Sequence, residues 1–413
     1  MTSAYYTANR RRFYENMEPG SVLILFSGRE IRKTSDEFYP FFAERNFVYM
    51  TGLACKEAVL VAVKDAETVF EWLYILPPDL MAERWTGRRV KPAEAETISG
   101  VTDIRFVTDF ETQIRSLLHS GNYGKVYLDC RLYAPDDMTR PSHGFAGRLA
   151  EEYPNVVIGD ASFILRRLRL IKSPEEILAL REAEIKTKAG ILAMMKASRP
   201  GMWEHQYKAE FDRALGQFGP EGPGFPSIIS AGENNFCIHY YSYTGQAKDG
   251  DMVLNDVGAQ HDNMITDVSR GWPCNGRFTD RQKLLYECAL ATSDHMFSVI
   301  KPGMRMEDVD ATIKRYNFER LKDAGVLKSF DEIGKLMWHG GSHHIGYDVH
   351  DAVERPEILA PGMAFCVDVG IYHEEWGIGF RLEDNCLVTD SGCENLSRDI
   401  PRTVYDLESI MRK

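Results

Sequence analysis

The segment Trp338-His339-Gly340-Gly341-Ser342-His343-His344-Ile345-Gly346-Tyr347-Asp348-Val349-His350-Asp351 holds four of the eleven histidines in a chain of 413 residues. Uniform scatter would place a fraction of one there. A solitary histidine is usually a packed or solvated side chain. Four of them among glycines point to a ligand site, because glycine lets backbone approach a ligand closely. The spacing of His339 and His343 matches a zinc-binding His-Glu-x-x-His helix, but Gly340, Gly341 and Ser342 stand between them. The Glu is missing, and each glycine costs a helix about 1 kcal/mol. The segment is therefore expected as a loop feeding a strand, with its histidines projecting separately.

Carboxylates in apolar runs lie on either side of this segment. Asp251-Met252-Val253-Leu254-Asn255-Asp256-Val257-Gly258 reads as a strand ending near Asp256, and Met264-Ile265-Thr266-Asp267-Val268-Ser269-Arg270 as its neighbour. The turn residues Asp262-Asn263 between them suit a hairpin, which sets Asp256 beside Asp267. Further on, Ala364-Phe365-Cys366-Val367-Asp368-Val369 and Gly379-Phe380-Arg381-Leu382-Glu383-Asp384-Asn385-Cys386-Leu387-Val388 each enclose an acid. An acid within an apolar strand is costly unless it is paired or bound to a metal. Arg270 and Arg381 are the candidate ion-pair partners. Four carboxylates with one neutral imidazole make a donor set for two borderline divalent ions, such as manganese, cobalt or zinc. The chain has no Walker loop, no Rossmann fingerprint and no Gly-x-Ser-x-Gly, so nucleotide cofactors and a serine nucleophile are not expected.

The rest of the chain frames this region. Ser21 to Phe26, Ala58 to Val63, Val69 to Leu76 and Lys125 to Leu128 read as strands. Asp109 to Leu118 and Ser142 to Glu152 read as helices, giving an α/β domain over residues 1–168. After Leu165-Arg166-Arg167-Leu168-Arg169 a helix is expected to open with Ser173 as cap, Pro174 at its first position and Glu176 closing a capping box. A second opens at Thr279 with Gln282. Arg199-Pro200-Gly201 and Lys301-Pro302-Gly303 end the two helices in the same way, as a duplicated helix-helix-strand unit would over residues 169–413. Hydrophobic residues at 44% and charged ones at 27% exclude disorder and a disulfide scaffold. A formal charge of −12 speaks against nucleic acid as a partner. The eight cysteines form no Cys-x-x-Cys pair and fit a reducing compartment. No secretory signal is read at the N-terminus, and the apolar runs are too short to span a bilayer, so a cytoplasmic location away from membranes is expected.

At these residues the sequence resembles the pita-bread metallopeptidases, in the aminopeptidase P and prolidase branch. The resemblance rests on Asp-x(10)-Asp, on His-Gly-x-Ser-His-x-x-Gly-x-Asp-Val-His-Asp, and on Arg-x-Glu-Asp-Asn, in that order. It extends to Ser35-Asp36-Glu37-Phe38-Tyr39-Pro40-Phe41, Asn46-Phe47-Val48-Tyr49-Met50-Thr51-Gly52 and Trp85-Thr86-Gly87-Arg88-Arg89, so it covers nearly the whole chain. It implies an N-terminal α/β domain of the creatinase and aminopeptidase P type. The C-terminal domain would be an α+β pita-bread fold with a curved, mainly antiparallel sheet. It also implies hydrolysis of the bond before a proline at the substrate's second position, by a hydroxide bridging two metals. The implied metal ligands are Asp256, Asp267, His343, Asp368 and Glu383, with manganese first and cobalt or zinc as options. His239 and His350 match substrate-side histidines that bind the carbonyl or carry a proton. His339 and Arg381 match positions that orient the ligands and screen their charge, and Ser269 keeps a hydroxyl where Thr is usual. The expected catalytic set is thus His239, His350, Arg381 and Asp368. The protein is expected as a homo-oligomer, dimer or tetramer.

Two departures from the family pattern bear on activity. Asp368 stands where Glu is usual, and Val369 where Pro usually follows. One methylene fewer withdraws the carboxylate by about 1.5 Å, whereas metal–ligand distances tolerate about 0.2 Å. Met264 replaces a common Tyr near Asp267. The alternative readings are a prolidase acting on dipeptides only, a binding protein without hydrolysis, and a metal-free hydrolase on the same fold in the manner of creatinase.

Overall fold

β1 (Ser21–Phe26) is buried along nearly all its length, as an unbroken aliphatic run should be when both faces of its sheet are covered. It belongs to the first of two units, Met1–Leu168 and Arg169–Lys413, of the computed structural model, which describes residues 1–132, 140–354 and 358–412. Around β1 lie β2 (Val59–Lys64), β3 (Val69–Ile75), β4 (Ile104–Phe106), β5 (Lys125–Leu128) and β6 (Val157–Asp160), in the order β4-β3-β2-β1-β5-β6. β1 pairs antiparallel with β2 and parallel with β5, so the sheet is mixed. Phe110, Ile114 and Leu118 recur at helical spacing on helix Phe110–His119. They meet Phe145 and Leu149 of helix Pro141–Glu152 over Val22, Ile24, Val61 and Tyr74. Helix Ser3–Glu15 buries Arg10, whose guanidinium donates to Glu71 Oε2 at 2.8 Å and to the carbonyls of Met50 and Ser99.

In the second unit, helix Pro174–Ala197 begins as its capping box requires. Ser173 Oγ accepts from Glu176 N, and Ser173 N donates to Glu176 Oε2 at 2.6 Å. Helix Glu204–Leu215, β7 (Ile228–Ala231) and β8 (Met252–Val257) follow, then the tip strands β9 (Gln260–His261) and β10 (Met264–Ile265) and the return strand β11 (Val268–Pro273). The expected hairpin is present. Asp256 pairs with Ser269 and His261 with Met264, and Asp262 and Asn263 take φ of 48° and 69° at the turn, as a two-residue hairpin turn demands. A Cβ at Gly258 would lie 1.7 Å from the Thr266 carbonyl oxygen, so only glycine fits there.

The order then repeats. Helix Asp280–Val299, capped by Thr279 and Gln282, and helix Met306–Asp323 precede β12 (Ala364–His373), β13 (Ile378–Val388) and the short β14 (Cys393–Asn395). The sheets β11-β8-β7 and β12-β13-β14 are antiparallel throughout, and β13 packs beside β11 and β8. Residues 338–350 form neither helix nor strand. Helices cover the outer side, where Ile191, Met195, Leu285, Ala289 and Met296 pack on Val253, Trp272, Val367, Ile371 and Phe380.

Deep in this packing Glu184, on helix Pro174–Ala197, accepts from Ser397 Oγ at 3.0 Å, while its Oε2 has no partner among the described residues. Burial pushes its carboxyl up to about 8, against the Ser397 hydrogen bond, with Asp384 adding to the rise. A raised carboxyl pKa makes the fold's advantage complete below the unfolded value near 4.3 and lost as pH rises towards 8. Glu184→Gln keeps the Ser397 bond and removes the charge. Thermal melts should therefore show the variant gaining on the wild type from pH 5 to pH 8, by on the order of 2–4 kcal/mol at the upper end. A difference that stays flat with pH would show that Glu184 does not titrate in the fold.

Candidate metal centre

Backbone pairing decides which side chains converge. Across β12 and β13, Asp368 sits opposite Glu383; across β8 and β11, Asp256 sits opposite Ser269, and Asp267 directly precedes β11. Asp267 is fixed from β13, because its N–H donates to Asn385 Oδ1 at 3.0 Å and Asn385 Nδ2 donates back to its carbonyl. The histidine loop lies along β12 through Asp368 N to the Gly341 carbonyl and Cys366 N to the His343 carbonyl, each 2.8 Å. A Cβ at Gly341 would come within 2.7 Å of the Asp368 carbonyl. That glycine therefore serves the approach of loop to strand. Asp310 accepts from Gly341 N and Ser342 Oγ and holds the loop from its other side.

The result is a cavity of about 350 Å³ lined by Ile238, His239, Asp256, Asp267, His339, Gly340, His343, His350, Asp368, Arg381 and Glu383. All five expected ligands and the three expected histidines meet there. His343 Nε2 stands 3.4 Å from both Asp267 Oδ2 and Glu383 Oε1. His339 Nδ1 approaches Asp368 Oδ2 at 3.3 Å. His350 lies over His343, ring centres 4.2 Å apart, and His239 is exposed at the wall beside Tyr241. Ser269 lies just behind and donates to Glu383 Oε2 at 2.8 Å. Arg381 is the hub. It donates to Asp256 Oδ2 at 2.7 Å, to Tyr372 Oη at 3.0 Å, to the Ile238 carbonyl at 3.1 Å and to Ser269 Oγ at 3.4 Å. The other candidate arginine, Arg270, pairs with Asp384 at 2.7 Å behind the cavity.

One arginine does not neutralise four buried carboxylates. Burial, and then the charges of Glu383 and Asp256, hold Asp267 well above the usual carboxylate range; burial and Glu383 do the same for Asp368. Burial also opposes charge on Glu383, but the hydrogen bond and charge of His343 outweigh it and lower its pKa. His343 is raised in turn, against burial, by Glu383, while burial lowers His339 and His350. Asp256 Oδ1, Asp267 Oδ1 and Asp368 Oδ1 are buried with no hydrogen-bond partner among the described residues. Excess negative charge, spare lone pairs and an imidazole facing them fit a divalent cation chemically.

Tyr372, Asp310, Asn385 and Cys366 belong to this environment without having been expected in it. Tyr372 Oη bonds both Arg381 and His339, and a Cβ at Gly370 would strike His339 Nε2 at 2.4 Å. Cys366 joins Asp267, His343 and Glu383 in a group whose ligand atoms lie within 4.8 Å of one another. Strand alternation puts residues 366, 370 and 372 on the face of Asp368, which is a signal for Cys366 and Tyr372. Asp310 carries none.

Known proteins share this arrangement of sequence and fold. The description "Metallopeptidase family M24" matches residues 179–390, and "Aminopeptidase P, N-terminal domain" matches residues 6–127. The Xaa-Pro aminopeptidase of Escherichia coli (strain K12) is 31% identical, over 98% of this chain and 97% of its own. A solved structure from Bacillus anthracis is 34% identical with a TM-score of 0.97, covering 100% of this chain and 99% of that one. Aminopeptidase P from E. coli with the inhibitor Pro-Leu is 30% identical with a TM-score of 0.89, covering 100% and 98%. With a mixed-sheet α/β unit before an antiparallel unit of repeated helices and strands, the chain belongs to metallopeptidase family M24, in its aminopeptidase P branch.

Proposed function

We propose that the protein is a Xaa-Pro aminopeptidase, a metal-dependent hydrolase that removes the first residue of peptides whose second residue is proline. The observation that carries this is one cavity lined by five ligand-type side chains and three further histidines. It lies in a chain that matches Xaa-Pro aminopeptidases from end to end.

Asp256, Asp267, His343, Asp368 and Glu383 would hold two divalent ions, manganese or, with the same donors, cobalt or zinc. Such ions, when bound, make water nucleophilic at neutral pH and polarise a carbonyl. The chain's other groups do the rest. His239 and His350, on the cavity wall, hydrogen-bond the scissile carbonyl oxygen and stabilise its charge as the carbon becomes tetrahedral. Asp368 takes the proton of the attacking water and passes it to the proline nitrogen. Arg381 fixes Asp256 and Ser269 fixes Glu383, while His339, held by Tyr372 and the Gly340 carbonyl, stands beside Asp368. About 350 Å³ accommodates the first residues of a peptide. Free thiols throughout the described residues support a reducing cytoplasm. No helix among the described residues is long and apolar enough to cross a membrane. Leu80, Met81 and Trp85, exposed on helix Leu80–Thr86, support self-association. The charge of −12 supports a peptide partner over nucleic acid.

The direct test measures release of the first residue from Xaa-Pro-Yaa, Xaa-Pro and Xaa-Ala-Yaa peptides by the purified chain, with bound metal counted. Cleavage before proline alone, including in the tripeptide, and its loss on chelation are expected. Full metal occupancy without cleavage overturns the reading, and cleavage of Xaa-Pro dipeptides alone makes the protein a prolidase. Asp368→Glu restores the longer arm and should raise the rate or the metal affinity; an unchanged or lower value means that the backbone has compensated. Arg381→Lys keeps the charge but loses the fork that reaches Asp256, Tyr372 and Ile238 together. It should cost about 10–100-fold in metal affinity by titration, and it should lower the melting temperature, because buried partners of the guanidinium are left unpaired.

A further inference from the structure

Buried cysteines are ordinarily small apolar fillers, and Cys274, Cys288 and Cys386 pack in the apolar core in this way. Cys366 is fully buried among polar groups instead. Its Sγ accepts from Asn385 Nδ2 at 3.4 Å and lies 4.0 Å from the Asp267 carbonyl oxygen, with a Glu383 carboxylate oxygen within 4.8 Å. Asn385 cannot turn away, because both ends of its amide are bonded to the backbone of Asp267. It thus presents an N–H to the sulfur, the kind of support a coordinating thiolate receives.

From this geometry we propose that Cys366 is a sulfur donor to the ion held by Asp267, His343 and Glu383, and that it biases this position towards zinc or cobalt over manganese. The four donors lie within 4.8 Å of one another. A tetrahedral zinc site with ligands at about 2.0–2.3 Å has donor–donor edges of about 3.3–3.8 Å. Two edges already measure 3.4 Å, from His343 Nε2 to Asp267 and to Glu383, so closing the rest needs a contraction of about 1.5 Å or less. Independently of the thiol, Asp267 is only 3% exposed and its Oδ1 has no partner among the described residues, a buried lone pair on the wall of the cavity. Thiolate is a soft ligand that favours zinc, whereas carboxylate and water suit manganese. As the metal–sulfur bond forms, the thiol proton passes to solvent. The proposal rests on the divalent-ion part of the function above and not on selectivity for proline.

X-ray absorption of the full chain loaded with zinc tests it. A sulfur shell near about 2.3 Å is expected, and in cobalt-loaded protein a sulfur-to-cobalt charge-transfer band. Cys366→Ser should remove both and lower the zinc-over-manganese preference at least tenfold in a competition titration. Only oxygen and nitrogen neighbours around zinc in the wild type overturn the proposal, as does a charge-transfer band that survives in Cys366→Ser. Should Cys366→Ser fail to fold, the wild-type spectra decide alone. Proline-selective cleavage without a sulfur shell removes this inference and leaves the function standing; no metal uptake removes both.

Discussion

Asp368 and Glu383 face each other across β12 and β13 with Asp256 and Asp267 brought up from the other hairpin, and the second unit is organised around keeping these four carboxylates together out of water. Their repulsion opposes folding. Part of it is offset by Arg381 on Asp256 and by His343 between Asp267 and Glu383. The remainder is borne by packing, for β12 and β13 are buried almost throughout and the apolar cluster behind them draws on both helix pairs. A cation relieves what the protein's own groups leave unbalanced, so affinity for metal and cost to the fold have one origin.

Elsewhere in the unit the same problem is solved differently. The side chain of Asp351 is as buried as that of Asp267, yet Arg169 and Lys172 outweigh burial and bring its carboxyl down to about 2. Asp384 lies at 0% exposure between Arg270 and Arg402. Asp351 and Asp384 are matched by cations from neighbouring elements, while Asp267 and Asp368 are held high by burial and by the charges of Glu383 and Asp256. The contrast distinguishes these ion-paired acids from those of the site, which burial alone does not. It also explains why the loop carrying His350 is firmly placed: Asp348 and Asp351, on either side, are both anchored to Arg169.

What local chemistry governs was legible in the sequence. The capping boxes at Ser173 and Thr279 involve residues three apart, and the Asp262-Asn263 turn needs only two residues tolerant of positive φ. The five candidate ligands stood out because acids in apolar strands and clustered histidines are anomalies within a single window. Other features depend on contacts that no window contains. β4 and β6 are three and four residues long and lie at the sheet edges, where hydrophobic patterning is weak. Helix Leu80–Thr86 buries none of its residues, so it shows no apolar face to read. Asp310 and Asn385 matter through partners tens of residues distant. Cys366 was within reach, two residues before Asp368 on the same face, but thiols invite reading as core.

The short side chain of Asp368 lies on a strand held from both sides. β12 is paired along its length with β13, and on its other side Asp368 N is bonded to Gly341, whose own approach already excludes a Cβ. An inward shift of about 1.5 Å, the length a missing methylene would require, would break one of these edges. In the proposed site the deficit would then fall on the distance between the ion and Asp368, leaving Asp267, His343 and Glu383 as its nearer donors. Cys366 lies with these three, the four donor atoms within 4.8 Å of one another. Asp368 and Cys366 lie two residues apart on one strand face, so in the proposed site the short carboxylate and the thiol would be set against the same ion.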